Sequence, residues 1–240
     1  MTYCCALHVD DGIVFASDTR TNAGPDHIAV VPKMSVWERP GDRVIVLLVS
    51  GNLAITQKVV NLLNERLNSA SQTNLWSATS MFNVAQLIGD TVREVHRSDG
   101  EALREFGYEF AVSLILGGQI AGEAPRLFNI YAAGNFVEAT RETPYFQIGE
   151  VKYGKPMLDR VVTAETPLGK AAKCALISIA STLRSNVTVG MPLDLLIYRR
   201  DTLKVDFRRR YQENDAYFVG LSSAFGEGIV SVFAGLPDPA

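Results

Sequence analysis

Cysteine is scarce in this chain: three in 240 residues, two of them adjacent. That is no basis for a disulfide framework, and neighbours on a strand point to opposite faces, so Cys4 and Cys5 are poor partners. Both, with Cys174, read as small core residues. The three histidines, His8, His27 and His96, have no carboxylate or cysteine at metal-ligand spacing, so no metal site is expected. A Gly-rich phosphate loop is also lacking, and no cofactor is expected. The longest strictly aliphatic run is the six residues 44–49, against about 20 for a membrane-spanning helix. With neither a basic start nor a long apolar stretch at the N-terminus, the chain reads as soluble and cytoplasmic, with no membrane partner. A net charge of −3 gives no electrostatic case for nucleic acid, and the basic cluster 208–210 sits between Asp206 and Glu213 as a solvated face.

Apolar residues, by contrast, make up 47% of the chain, and no Pro/Gly/Ser-rich linker divides it, so a single domain over residues 1–240 is expected. The first quarter reads as strands at Tyr3–Val9, 13–18, 33–38 and 44–50, turning at 10–12 and 39–42. These runs are apolar on both faces, which argues for a sheet covered on both sides. One helix is expected over 52–67. In a second, Met81, Val84, Ile88, Val92 and Val95 form one stripe at three- and four-residue steps. Strands follow at 109–117, 126–132 and 145–149. Thr166 then offers an N-cap with Pro167 at the first helical position of a third helix, whose face runs through Leu168, Ala172, Ala175, Ile179 and Leu183. After strands near 193–199 and 203–210, Phe218, Leu221, Phe225, Ile229 and Val232 mark a fourth helix, weakened by Gly226 and Gly228.

Four residues carry the chemistry. Removal of Met1 would give Thr2 a hydroxyl and a free α-amine on one framework. A hydroxyl is a poor nucleophile until its proton is accepted, and an α-amine with a pKa of about 7.7–8 can accept it near neutral pH. Read alone, Thr2 simply opens the first strand. Sixteen residues on, an apolar strand ends in Asp18; Lys33 follows fifteen residues later; and the run 44–49 breaks into Ser50-Gly51-Asn52. Gly51 on its own is equally a turn glycine ending a strand.

Terminal threonine, strand-end aspartate, lysine and strand-end glycine, in that order, resemble the proteasome β-subunit family of N-terminal nucleophile hydrolases. Met-Thr-Tyr-Cys at the start, Asp-Thr-Arg-Thr-Asn-Ala-Gly at 18–24, Glu-Arg-Pro-Gly-Asp-Arg at 38–43 and Arg-Ser-Asn-Val-Thr-Val-Gly-Met-Pro-Leu-Asp-Leu-Leu at 184–196 are similar to its bacterial Anbu branch. The resemblance covers nearly the whole chain. It implies an α+β fold, a four-layer α-β-β-α sandwich in which two stacked antiparallel sheets are flanked by helices, and self-association into a ring or an open lock-washer-like assembly.

For the site, the resemblance implies that Thr2 is the nucleophile, Asp18 and Lys33 the charged pair beside it, and Gly51 the oxyanion donor. Arg20 matches a structural arginine, Asn22 a binder of substrate backbone, and Leu53 a pocket residue favouring small or medium apolar side chains. The stretch between Asp18 and Lys33 is slightly shorter than the family's. A supporting serine falls at Gly149-Glu150, and a later aspartate–serine pair falls at Ser185 and Thr188. Thr188 keeps a hydroxyl, whereas Ser185 lacks the carboxylate that would partner a protonated amine. A threonine peptidase or amidase is the leading expectation, acting on peptides in general or on one small peptide-like product. A scaffold or binding subunit that keeps the fold without the chemistry is the alternative.

Overall fold

The computed structural model describes residues 2–22, 28–69 and 73–239. Met1, Ala23, Gly24 and His27, which figure in the sequence reading, lie outside the described residues. Two five-stranded antiparallel sheets form the centre. In the first, the order is β10 (Tyr145–Gly149), β1 (Tyr3–Val9), β2 (Gly12–Asp18), β11 (Leu193–Arg199) and β12 (Phe207–Tyr211). In the second, β5 (Met34–Arg39), β6 (Arg43–Gly51), β7 (Val112–Ile120), β8 (Arg126–Ile130) and β9 (Phe136–Glu138) follow in chain order. A short hairpin of β3 (Arg20–Asn22) and β4 (Ile28–Val30) projects from the end of β2.

The continuous apolar runs are buried on both faces, as the absence of polar alternation requires. Cys4, Ala6, Ile13 and Phe15 on the first sheet pack against Met34, Val44, Val46, Leu48 and Ile115 on the second, forming the layer between the sheets. On its outer face the second sheet carries α1 (Leu53–Arg66) and α2 (Met81–Glu105), whose stripe from Met81 to Val95 is fully buried. The first sheet carries α3 (Val151–Val161) and α4 (Leu168–Ser185). This is the four-layer α+β sandwich. All three cysteines are buried and unpaired, and burial pushes the Cys174 thiol up to about 11.

Several elements differ from the sequence expectation. The region 203–210 contributes only β12, because Asp201 and Leu203 take positive φ in a turn that delays the strand. The strand expected at 109–117 is β7, starting three residues later. Helix α3 was not expected at all: it is short and contains Gly154 and Pro156. Thr166 does not cap α4. Its hydroxyl accepts from the Thr163 N–H at 2.9 Å, so it closes the preceding turn, and α4 starts after Pro167 without a side-chain cap. Of the three exposed arginines of β12, Arg209 pairs with Asp215 and Arg210 with Asp194.

The fourth expected helix, α5 (Ala216–Ala234), forms but buries only Phe218. Val232 and Phe233 are 68% and 75% exposed. By length and composition α5 is apolar enough to cross a membrane, a property that counting uninterrupted aliphatic residues misses because glycine, serine and alanine are interspersed.

Candidate active site

Thr2 immediately precedes β1 and is only 8% exposed. Its carbonyl accepts the Glu150 N–H at 2.7 Å, continuing the β1–β10 ladder by one step beyond the Tyr3↔Gly149 pair. Next along β1, Tyr3 is wholly buried, its hydroxyl hydrogen-bonded to Ser178 at 2.6 Å and to Gln147. The start of the chain is therefore held on both sides, by sheet pairing and by a side chain anchored under α4.

At the end of β2, Asp18 is fully buried. Its Oδ1 accepts the Tyr3 N–H at 3.0 Å and the Lys33 ammonium at 2.6 Å, while its Oδ2 accepts the Gly190 N–H at 3.2 Å. Lys33 comes from the segment just before β5 and also donates to the Arg20 carbonyl at 2.6 Å. Burial pushes the Asp18 carboxyl above the ordinary aspartate range, with the Lys33 charge and these hydrogen bonds acting against it. Removing charges from water costs several kcal/mol per ion unless geometry and extra hydrogen bonds offset it. Here two backbone N–H groups and a carbonyl supply those bonds.

Gly51 ends β6 with a φ of +116°, and a Cβ there would lie 2.3 Å from the Ala111 carbonyl oxygen. The glycine is thus required by contact with the backbone leading into β7 as well as by its conformation. Asn52 caps α1 through its side chain, which accepts the Ala54 N–H at 2.9 Å and fixes Leu53 as the first helical residue. A cleft of about 920 Å³ opens where these strand ends meet, and Thr2, Asn22, Lys33, Gly51 and Leu53 all line it. Asp18 lies behind Lys33.

Arg20, Ser185 and Thr188 fall outside the cleft lining. Arg20 donates to the Val187 carbonyl at 3.0 Å and packs tightly over Gly190. The Asn22 amide donates to the Thr188 carbonyl at 2.9 Å, so β3 is pinned to the loop after α4. The Thr188 hydroxyl donates to Asn186 Oδ1 at 2.5 Å, and Ser185 is an exposed residue at the last position of α4. Neither is among the described residues lining the cleft. Sequence reading missed Gln57, Asn61, Tyr108 and Glu150, all of which line it. The helical spacing of Leu53, Gln57 and Asn61 carried a signal for the first two.

Residues 2–197 match the family described as Proteasome subunit. No curated protein matches. Among solved structures, Anbu (ancestral beta-subunit) from Yersinia bercovieri is similar at 50% identity, covering 100% of this chain and 99% of that one, with a TM-score of 0.94. An Anbu (Gly-1) mutant from Hyphomicrobium sp. strain MC1 gives 50% identity, full coverage of both chains and a TM-score of 0.93. The helical assembly of the Anbu complex from Pseudomonas aeruginosa gives 46% identity, 100% and 98% coverage and a TM-score of 0.95. With a family match over most of its length and full-length likeness at this identity, the chain belongs to the proteasome subunit family of N-terminal nucleophile hydrolases, in its Anbu branch.

Proposed function

We propose that the chain is a threonine peptidase or amidase in which Thr2, freed by removal of Met1, attacks a peptide or amide carbonyl. The observation that carries this reading is the convergence of Thr2, Lys33 and Gly51 on one cleft, with Asp18 buried behind the lysine. The α-amine of Thr2 takes the proton from Oγ, directly or through water, and returns it to the leaving amine. Lys33 favours the developing alkoxide, Asp18 keeps that ammonium charged and aimed, and the Gly51 N–H binds the oxyanion. Arg20 and Asn22 shape the β3 wall, where Asn22 also meets the substrate backbone, and Leu53 borders the side-chain pocket.

With Ser185 exposed and the Thr188 hydroxyl engaged by Asn186, neither supports the amine, which suits slow or substrate-restricted turnover. The same observation favours a second reading, a non-hydrolytic binding subunit. Small peptide epoxyketones separate the two. A nucleophile carrying its own α-amine closes a morpholine-type ring, so mass spectrometry should find that adduct on Thr2 in wild type and not in Thr2→Ala or a Met1-retaining form. No adduct from any warhead sinks the hydrolase reading.

The Pseudomonas aeruginosa relative forms a helical assembly. We infer that this chain also self-associates, with the exposed apolar surface of α5 buried against a second copy.

A further inference from the structure

Among the described residues, two charged side chains line the cleft, Lys33 and Glu150. They are not equivalent. Lys33 is held at 2.6 Å from the buried Asp18 carboxylate, so that pair presents little net charge to an occupant. Glu150 has no such counter-charge. Its backbone is fixed by the hydrogen bond from its N–H to the Thr2 carbonyl, which sets it opposite the nucleophile. Its half-buried side chain makes no capping bond to α3, and no hydrogen bond or ion pair with any described residue. The rest of the wall is neutral: amides and hydroxyls from Asn22, Gln57, Asn61 and Tyr108, and apolar patches from Val49 and Leu53.

We propose that the cleft selects a peptide or amide carrying a positively charged group, an amino side chain or a free ammonium, which pairs with Glu150. This rests on the reading of the cleft as the substrate site. A carboxylate without a partner, partly withdrawn from water, gains more from a bound cation than a fully solvated one does, and it repels an acidic substrate. The cleft is in this respect less apolar than Leu53 alone suggests. The competing cation is the α-ammonium of Thr2 itself; if that engages Glu150, the carboxylate is spent and no substrate preference remains.

Equilibrium binding tests this without requiring catalysis. Thr2→Ala protein is titrated with acetylated, amidated tripeptides bearing lysine, norleucine or glutamate at each position in turn. At one position the lysine peptide is expected to bind about tenfold tighter than its norleucine counterpart, with glutamate weakest and the gap shrinking as salt is raised. Glu150→Gln, which preserves shape and the N–H to Thr2, should erase the gap, and Glu150→Lys should transfer the preference to glutamate. Equal binding of lysine and norleucine peptides, binding of none, or a gap that survives Glu150→Gln overturns the proposal. Labelled Thr2 in a charge-blind cleft would leave the hydrolase reading standing; charge-selective binding with unlabelled Thr2 would do the reverse.

Discussion

Gly149 and Thr2 approach so closely across the β10–β1 edge that a Cβ at position 149 would lie 1.9 Å from the Thr2 carbonyl oxygen. Gly149 also has a φ of +87°, which side chains resist. Gly149→Ala should therefore displace the nucleophile's backbone, lower the melting temperature and slow epoxyketone labelling of Thr2 at least about tenfold, as misplacement at a reacting centre does. Gly122 is the control. Its φ is +90°, yet nothing lies within 4 Å of a Cβ built there. Gly122→Ala should cost about 1–2 kcal/mol of strain and leave labelling at the wild-type rate. Equal labelling by the two variants would show that the contact with Thr2 is unimportant.

The Lys33–Asp18 pair links catalysis to stability. Lys33→Ala should abolish labelling, and because it leaves the fully buried Asp18 without its cation, it should also destabilise the fold by about 3–5 kcal/mol. Lys33→Arg should fail in labelling as well, since a planar guanidinium does not occupy the site of a compact ammonium. The double variant Lys33→Met with Asp18→Asn should recover part of the stability and none of the labelling. Denaturant melts with labelling rates check all three, and labelling of Lys33→Ala at the wild-type rate would remove Lys33 from the mechanism.

Asp18 gives the pH dependence a definite sign. Burial raises its carboxyl above the ordinary value of about 3.9. Between that raised value and the ordinary one, the folded chain binds more protons than the unfolded chain, so this group adds stability as pH falls. The same protonation discharges the partner of Lys33. Protonation of the α-amine base sets the first acid-side loss of Thr2 labelling, and protonation of Asp18 should add a second, separate loss with its own midpoint above the ordinary aspartate range, while Asp18 itself causes no loss of melting temperature over that interval. The second midpoint belongs to the coupled pair. A second midpoint at or below about 3.9 would contradict this assignment.

What could be read from sequence was local pattern and spacing. Continuous apolar runs gave β1, β2 and β6, the stripe on α2 gave one outer layer, and the order Thr2, Asp18, Lys33, Gly51 gave residues that do gather at one cleft. What escaped depends on distant partners. Gly154, in α3, sits where a Cβ would come within 2.3 Å of the Ser178 hydroxyl and 2.5 Å of the Tyr3 hydroxyl. A glycine and a proline inside an 11-residue segment disfavour a helix locally, and packing under β1 and α4 overrides that preference. Glu150 was visible only as a departure from the family's serine. Its place opposite Thr2 depends on the β1–β10 register, which no local pattern specifies.

Helix α5 shows the limit of periodicity in the other direction, and it supplies the last prediction. Its apolar residues suggested a face packed on the domain, but Ile229, Val230, Val232 and Phe233 are all more than half exposed. Exposed apolar surface of this kind marks contact with another protein or a membrane, and under the proposed self-association a second copy of the chain covers it. Ile229→Lys combined with Phe233→Lys should convert assemblies to smaller species by light scattering, at concentrations where wild type stays associated. Circular dichroism should be unchanged, because neither side chain contributes to the domain's buried clusters. A wild type that is monomeric at high concentration, yet sediments with phospholipid vesicles through α5, would instead assign this helix to a membrane surface.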